Sequence, residues 1–311
     1  MGGSIPAIRR AESVQDFSAR AGPFLLRNEA AHNLMLGITT DLQHARAAPR
    51  ESPLPTPPAQ TPYSALVEAG DDVVAAAVRT PPYNLVLSLV EGAPLEDIVD
   101  LLVADVRRQY PDLGAVQGPS AVSARFAAQW ARTTGRRARK SLAMRIFAPD
   151  AATPPSGVPG VFRWATLANR DLIIAWVPQF MRSLGERDDP DAPARIANGR
   201  LREREPDPRA DPTGIALWID GEPVSMAAYV GPTPNGVRVN LVYTPPEHRR
   251  RGYASALVAA LSQRLLDAGY RFCFLYTDLA NPTSNHIYQE IGYHPVCDVD
   301  QYTFERQRPH A

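Results

Sequence analysis

The chain contains 311 residues and balances 33 Lys and Arg against 33 Asp and Glu, which gives a formal net charge of zero. That balance excludes a whole-chain attraction to nucleic acid or to an anionic membrane, so any anion site must be local. The sequence has no apolar run of about 18 residues and no apolar signal core near its start, which predicts a cytoplasmic protein without membrane spans.

Cysteine and histidine give little support to a disulfide framework or a metal site. The only cysteines, Cys273 and Cys297, are too few for a framework of disulfides, and buried thiols are favoured over a single bridge between them. His248 and His294 do not show the spacing of metal ligands. We therefore expect a chain without a bound metal.

Proline clusters interrupt the sequence at residues 46–62, 148–160 and 204–214. Proline withholds a backbone donor and disfavours helix at the preceding residue, so these clusters predict loops or linkers. The middle cluster divides the chain almost in half. We predict an N-terminal lobe at 1–148, a proline-rich linker at 149–160 and a C-terminal catalytic domain at 161–311.

The C-terminal half alternates strand and helix patterns in the order β-α-α-β-β-β-α-β-α-β. Asp220-Gly221 between two apolar runs predicts a hairpin, and Pro245-Pro246 ends the following strand. The helix after Gly252 has one apolar face and ends at Gly269, while Asn281-Pro282 starts a shorter helix. The apolar face consists of Ala254, Leu257, Val258, Leu261 and Leu265.

The N-terminal half repeats the later part of this order. Three strand patterns precede a helix with Pro94 at its first position, and a short strand, a helix ending at Gly135 and a last strand follow. Each element recurs about 155–165 residues later, which is the pattern of a duplicated unit. The first of these helices has an apolar face made of Leu95, Ile98, Val99, Leu102, Val103 and Val106.

Three arginines, at residues 249–251, stand directly before the predicted helix that follows Gly252. The start of a helix already carries partial positive charge and unpaired N–H groups, so the arrangement favours a bound anion. Charge-assisted donors from Arg249 and a close backbone approach at Gly252 suit a pyrophosphate. The pattern is neither the dinucleotide G-x-G-x-x-G nor a Walker loop. A solvated arginine cluster at an ordinary helix start is the alternative.

Two ordered motifs carry a family resemblance. Arg249, Gly252 and Ala254 fit the pattern Arg/Gln-x-x-Gly-x-Gly/Ala between a strand and a helix. Asn281, Tyr288 and the pair Gly292-Tyr293 follow the next strand. In this order the two motifs resemble the signatures of the GNAT superfamily of N-acetyltransferases. The resemblance covers roughly residues 160–306.

The resemblance implies an α/β fold with a mixed sheet, built as two GNAT-like lobes. Each lobe would contain a mostly antiparallel sheet that is splayed at a cofactor cleft and flanked by helices. Acetyl-CoA would be the cosubstrate, with its pantetheine arm along the strand before the loop and its pyrophosphate at the loop and helix start. The implied coenzyme A contacts are Val242, Tyr243, Thr244, Arg249, Arg250, Arg251, Gly252, Tyr253, Ala254, Ser255, Asn281 and Ser284.

The family role that falls on Tyr288 is that of a general acid, which protonates the departing thiolate. The alternative is a half-buried aromatic residue on an amphipathic helix, with Ile287 and Ile291 facing the core. Direct transfer to an amine also needs a base, and the sequence does not single one out. The alternatives are Glu247, Asp278, Glu222 and a chain of water molecules, and His286 is either an exposed helix residue or a substrate contact.

The N-terminal lobe lacks the arginines of the pyrophosphate loop. Glu96 and Asp97 occupy the first turn of its corresponding helix, where acids stabilise the helix dipole and repel a phosphate. It resembles the degenerate lobe of tandem acetyltransferases, and its expected role is to pack on the active lobe and wall the acceptor cleft. The early segment FLLRNEAAHNLMLGI resembles a helix that opens many bacterial acetyltransferases. Its residues Asn28, Glu29 and Asn33 are either structural or reach the acceptor cleft.

The sequence therefore predicts an acetyl-CoA-dependent N-acetyltransferase of the acyltransferase class that acts on an amine of an unidentified acceptor. The alternatives are a coenzyme A-binding sensor without turnover and a scaffold that uses both lobes for interaction. Acetyl-CoA and an amine acceptor are the expected partners, without nucleic acid or membrane, and the oligomeric state is left open.

Overall fold

The computed structural model describes residues 5–47, 62–149, 151–184 and 189–306, without the side chains of residues 44–47 and 282–284. The chain forms two compact units. Unit 1 contains Met1–Ile146, Asp278–Ala280 and Val296–Ala311, and unit 2 contains Phe147–Thr277 and Asn281–Pro295. The division near residue 147 lies close to the sequence-based boundary at 148, but residues 296–311 group with unit 1 and not with the rest of the C-terminal half.

The first ten elements of the chain alternate between strands and helices. They are β1 (Ala7–Arg10), α1 (Val14–Arg27), α2 (Glu29–Ala47), β2 (Tyr63–Ala69), β3 (Asp72–Arg79), β4 (Leu85–Leu87), α3 (Leu95–Gln109), β5 (Ala115–Pro119), α4 (Ser120–Thr134) and β6 (Arg137–Pro149).

The next ten elements follow the same order. They are β7 (Val161–Trp164), α5 (Arg170–Ser183), α6 (Ala192–Arg200), β8 (Gly214–Asp220), β9 (Glu222–Val230), β10 (Gly236–Tyr243), α7 (Tyr253–Asp267), β11 (Phe272–Asp278), α8 (Pro282–Glu290) and β12 (Tyr293–Glu305). Each element starts roughly 150–160 residues after its counterpart, as expected of a duplicated unit. The duplication is more complete than the sequence pattern predicted, since it includes the short strand β1.

The sheet of unit 1 places β1 to β5 side by side in chain order, followed by the unit 1 parts of β12 and β6. Strands β4 and β5 are parallel, whereas β1–β2, β2–β3, β3–β4 and β5–β12 are antiparallel. The predicted apolar face of α3 is buried from Ile98 to Val106, which confirms the helical spacing. Pro94 precedes the helix as its N-cap and is not its first residue, because its backbone is extended, with ψ 129°.

The sheet of unit 2 has the order β11-β10-β9-β8-β7, with β10 and β11 parallel and the other pairs antiparallel. The hairpin predicted at Asp220-Gly221 joins β8 to β9, with Gly221 at φ 73°. Helix α7 buries Leu257, Val258 and Leu261 against this sheet, as the sequence predicts, whereas Ala254 is only half-buried.

The parallel strands at the centre of each unit differ in how far they stay together. In unit 2, β10 pairs with β11 only at Gly236↔Phe272, Val237↔Cys273 and Arg238↔Phe274, and the strands then part. In unit 1, a Cβ built on Gly118 of β5 would lie 2.9 Å from Cβ of Leu87, so β4 and β5 remain in close contact. The splayed arrangement is therefore present in unit 2, whereas the corresponding strands of unit 1 are closed.

We expect Gly118→Ala to destabilise the protein by about 1–3 kcal/mol, because the new methyl group meets the Leu87 carbonyl oxygen at 3.0 Å as well as its side chain. Gly114→Ala is the matched control, since a Cβ there has no neighbour within 4 Å, and it should be neutral or stabilising. Denaturant unfolding of both variants measures the difference. Equal stabilities would contradict the close contact between β4 and β5.

Candidate active site

The edge of β10 that faces the gap is interrupted by a β-bulge. Its register against β9 shifts between Asn240 and Tyr243, and Leu241 adopts φ 54°, a conformation that side chains rarely take. As a result Leu241 and Tyr243 both pack in the core that includes α5, whereas Val242 packs on the side of α7. Beyond Arg238 this edge has no register partner on β11, which leaves backbone groups available to a ligand.

Side-chain contacts fix the end of β10. The hydroxyl group of Ser225 donates to the Tyr243 carbonyl oxygen at 3.1 Å and lies 2.9 Å from Oγ1 of Thr244. The Tyr243 hydroxyl donates to Oε1 of Gln179 at 2.8 Å, and its ring packs edge-on against Trp176. Tyr243 therefore offers its backbone to the cleft, while its phenol belongs to the core.

The arginine loop leads from β10 to α7 through two left-handed residues, Arg250 at φ 63° and Gly252 at φ 79°. Nε of Arg249 donates to the Thr244 carbonyl oxygen at 3.0 Å. Helix α7 starts without a side-chain cap, so its first N–H groups are free for a ligand. The loop arginines, Arg249, Arg250 and Arg251, are exposed, and none forms an ion pair with a carboxylate in the described part of the chain.

A cavity of about 180 Å³ opens where the strand, the loop and α8 meet. Its lining includes six residues that the sequence predicted: Val242, Tyr243, Thr244, Arg249, Ala254 and Tyr288. Ser183 and Ile287 also line it. Ser183 ends α5, far away in sequence, and no local signal connects it with the loop. Ile287 was expected in the core but faces the cavity, and Ile291 alone is fully buried.

The other predicted cofactor contacts surround this cavity without lining it. The Tyr253 hydroxyl donates to Oδ2 of Asp220 at 2.5 Å, so only its backbone is free to meet a ligand. The Asn281 carbonyl oxygen accepts from the Asn285 amide group at 3.0 Å. The side chain of Ser284 lies outside the described residues. The remaining members, Arg250, Arg251, Gly252 and Ser255, lie at the loop and the first turn of α7.

Tyr288 lies at the wall of the cavity, with its ring 6.0 Å from that of Tyr293. Its hydroxyl group makes no hydrogen bond to the described residues. Desolvation by burial raises the pKa of Tyr288 to about 12. The phenol is therefore protonated at neutral pH and can donate a proton to a group in the cavity.

None of the candidate bases lines the cavity. Glu222 is exposed and lies 3.7 Å from Nε2 of His248, and Glu247 is exposed in the loop. Asp278 accepts from the Ala280 N–H at 2.8 Å, which is a turn contact. His286 is an exposed helix residue whose Nε2 lies 3.2 Å from Oε1 of Glu290.

Metal and membrane features were also considered for the described residues. They contain no group of three or more His, Cys, Asp or Glu side chains that could hold a metal ion. None of the helices in the described ranges combines the length and apolar character needed to cross a bilayer.

Residues 175–293 match the model of the Acetyltransferase (GNAT) family. Curated relatives named N-acetyltransferase Eis, from Mycobacterium bovis and Mycobacterium tuberculosis, are 30% identical over 100 residues. The match covers 32% of this chain and 23% of the relative, so the chain spans about a quarter of the length of these relatives. The family match contains the end of β10, the arginine loop and Tyr288.

Solved structures similar in fold extend over nearly the whole chain. A Drosophila protein covers 97% of this chain and 99% of its own, with a TM-score of 0.63 at 12% identity. An acetyltransferase from the GNAT family of Colwellia psychrerythraea has a TM-score of 0.54 at 10% identity, covering 96% and 100%. A GCN5-related N-acetyltransferase from Sphaerobacter thermophilus has a TM-score of 0.53 at 17% identity, covering 98% of both chains. With the matched segment centred on the cavity, the chain belongs to the GNAT superfamily of acetyltransferases.

Proposed function

We propose that this protein is an acetyl-CoA-dependent N-acetyltransferase and that unit 2 carries the reaction. The observation that carries the proposal is the cavity between the unpaired edge of β10, the arginine loop and Tyr288. The names of the curated relatives support acetyl transfer to an amine. The acceptor is an amine whose identity is set by the surroundings of the cavity.

Coenzyme A fits the residues that surround the gap. The unpaired backbone from Val242 to Thr244 can accept the pantetheine arm as an added strand. The N–H groups at the start of α7 and the free arginines provide donors and positive charge for the pyrophosphate. A Cβ built on Gly252 would lie 2.8 Å from Cγ2 of Val158, so a side chain at this position has no room beside the loop. Asn281 and Ser284 complete the proposed contacts.

Acetyl-CoA supplies an activated thioester, and the protein orients it and manages the protons. Backbone N–H groups near the bulge at Leu241 and Tyr243 would polarise the acetyl carbonyl. The amine nitrogen forms a bond to the carbonyl carbon, the carbon–sulfur bond breaks, and the sulfur takes the Tyr288 proton. The proton lost by the amine passes to water, since no candidate base lines the cavity.

Unit 1 is proposed to bind no coenzyme A, because the donors after its strand β4 are already occupied. The N–H of Ser88 donates to the Ala76 carbonyl oxygen at 3.0 Å, and that of Leu89 donates to Nε2 of His32 at 3.1 Å. Burial lowers the pKa of His32, which keeps its ring neutral and able to accept this bond. Glu96 and Asp97 stand at the start of α3 in place of arginines.

The early residues of unit 1 have structural contacts. Nδ2 of Asn28 donates to Oε1 of Glu91 at 2.6 Å, and Nδ2 of Asn33 donates to the Ala30 carbonyl oxygen at 2.6 Å. Glu29 is buried and also has a bonding partner. These contacts favour a structural role for all three.

Acetyl-CoA at about 100 times its dissociation constant should stabilise the folded protein by roughly 2.7 kcal/mol and raise its thermal midpoint. We expect Arg249→Ala and Gly252→Val to abolish this shift. Gly252→Val should also lower the midpoint of the unliganded protein, by about 1–3 kcal/mol of stability, because of its left-handed backbone. Differential scanning calorimetry with and without acetyl-CoA provides the measurement.

Arg209→Ala is the matched control for this experiment, since Arg209 is exposed elsewhere in unit 2. It should keep the full shift. A shift that persists in both loop variants would show that the pyrophosphate does not bind at this loop.

We expect Tyr288→Phe to bind acetyl-CoA normally while kcat falls by about 10²-fold or more, because the ring remains and the proton donor is lost. Wild-type kcat should also stay constant up to about pH 10, where an ordinary phenol would begin to lose its proton. Release of free thiol from acetyl-CoA in the presence of amines, corrected for hydrolysis, measures both properties when chemistry limits turnover.

Tyr270→Phe serves as the control, because it removes a hydroxyl that bonds only to the Pro208 carbonyl oxygen. It should leave kcat unchanged. Wild-type kcat in Tyr288→Phe would remove the acid assignment. Binding of acetyl-CoA without thiol release from any amine would instead support the non-catalytic sensor.

A further inference from the structure

The face of β10 that lies opposite α7 carries two arginines and an asparagine close to the bulge. Val237 and Val239 pack on the side of α7, so Arg238 and Asn240 project to the side covered by α5 and α6. Arg200, the last residue of α6, donates from Nη1 to Oδ1 of Asn240 at 3.1 Å. Arg200, Arg238 and Asn240 thus form a cluster, called here the arginine pair with its asparagine.

The two positive charges of this cluster are not neutralised by the protein. In the described residues neither Arg200 nor Arg238 forms an ion pair. Other arginines of the same region do have acid partners: Arg204 lies 2.8 Å from Asp211. Desolvation by burial, with a further contribution from the charge of Arg238, lowers the pKa of Arg200 to about 10.

Both guanidinium groups nevertheless remain charged at neutral pH. Two like charges that are partly removed from water repel each other and lose hydration, which is costly without a counterion. The interaction of Arg200 with the C-terminal dipole of α6 offers partial compensation for one charge. It leaves Arg238 without compensation, so the cluster is suited to an anionic ligand.

The cluster lies beside the proposed point of transfer. Asn240 is two residues before Val242, which lines the cavity, and a strand rises about 3.3 Å per residue, so their Cα atoms are about 7 Å apart. Arg238 lies one strand repeat further away. A small molecule with its amine at the gap can therefore reach the arginines with a group at its other end.

We propose that Arg200 and Arg238 bind an oxyanion of the acceptor, so that the acceptor is an amine that also carries a carboxylate or a phosphate group. The proposal rests on the proposed acetyltransferase function. The guanidinium fork matches both oxyanions with paired hydrogen bonds, and Asn240 orients Arg200 and adds an amide donor. Neutral or purely cationic amines would leave the two charges uncompensated.

The test compares amines that differ only in this group. Calorimetry with coenzyme A present, which fills the pyrophosphate loop, measures binding of β-alanine against β-alaninamide and of phosphoethanolamine against ethanolamine. We expect the wild-type protein to bind at least one of the anionic partners ten-fold or more tightly than its neutral counterpart. The two pairs distinguish a carboxylate from a phosphate acceptor.

Substitutions locate the effect. Arg238→Gln and Arg200→Gln should each abolish the preference and leave binding of the neutral partner unchanged, whereas Arg238→Lys should keep part of it. Arg209→Gln, which removes an exposed charge elsewhere in unit 2, should keep it fully. Unchanged thermal midpoints identify variants that fold, and Arg238→Gln alone suffices if Arg200→Gln does not fold.

Each outcome separates this site from the transferase activity. Equal binding of both members in each pair, or a preference that persists in Arg238→Gln, overturns the oxyanion site. Thiol release with neutral amines at rates equal to the anionic ones also overturns it and leaves the transferase intact. Selective binding of the anionic partner without thiol release supports the oxyanion site and rejects the transferase.

Discussion

The separation of β10 from β11 after Arg238↔Phe274 is the constraint on which the site depends. Where two parallel strands part, the backbone of one loses its hydrogen-bonding neighbour and must be satisfied by a ligand or by water. The bulge at Leu241 turns this free edge toward the start of α7, and the arginine loop closes the same space from the other end. Tyr288 then completes the wall from α8.

The two units show the same order of elements with opposite solutions at this point. In unit 1 the strands remain in contact at Leu87 and Gly118, and His32 takes the N–H of Leu89. Acids replace arginines at the helix start, which stabilises α3 and disfavours a bound phosphate. Duplication has thus kept the scaffold in both units, and we infer that only unit 2 keeps the ligand site.

Local patterns were sufficient to predict the helix α7, the hairpin at Gly221 and the anion-binding character of the arginine loop, because caps, turns and apolar spacing are local properties. They did not predict the bulge at Leu241, whose positive φ is unexpected for leucine. The assignment of residues 296–311 to unit 1 depends on strand pairing, as between Val299 and Pro119. Ser183 at the cavity and Arg200 beside Asn240 arise from tertiary contacts, which a linear pattern does not contain.

The account's central claim is that one splayed unit binds coenzyme A and the closed unit does not. Isothermal titration of the full chain with acetyl-CoA tests it most directly, because the stoichiometry counts the sites without assuming turnover. The account predicts one site per chain, with unchanged affinity when Glu96 and Asp97 are replaced by alanine. Two sites per chain, or an affinity that depends on Glu96 and Asp97, would contradict it.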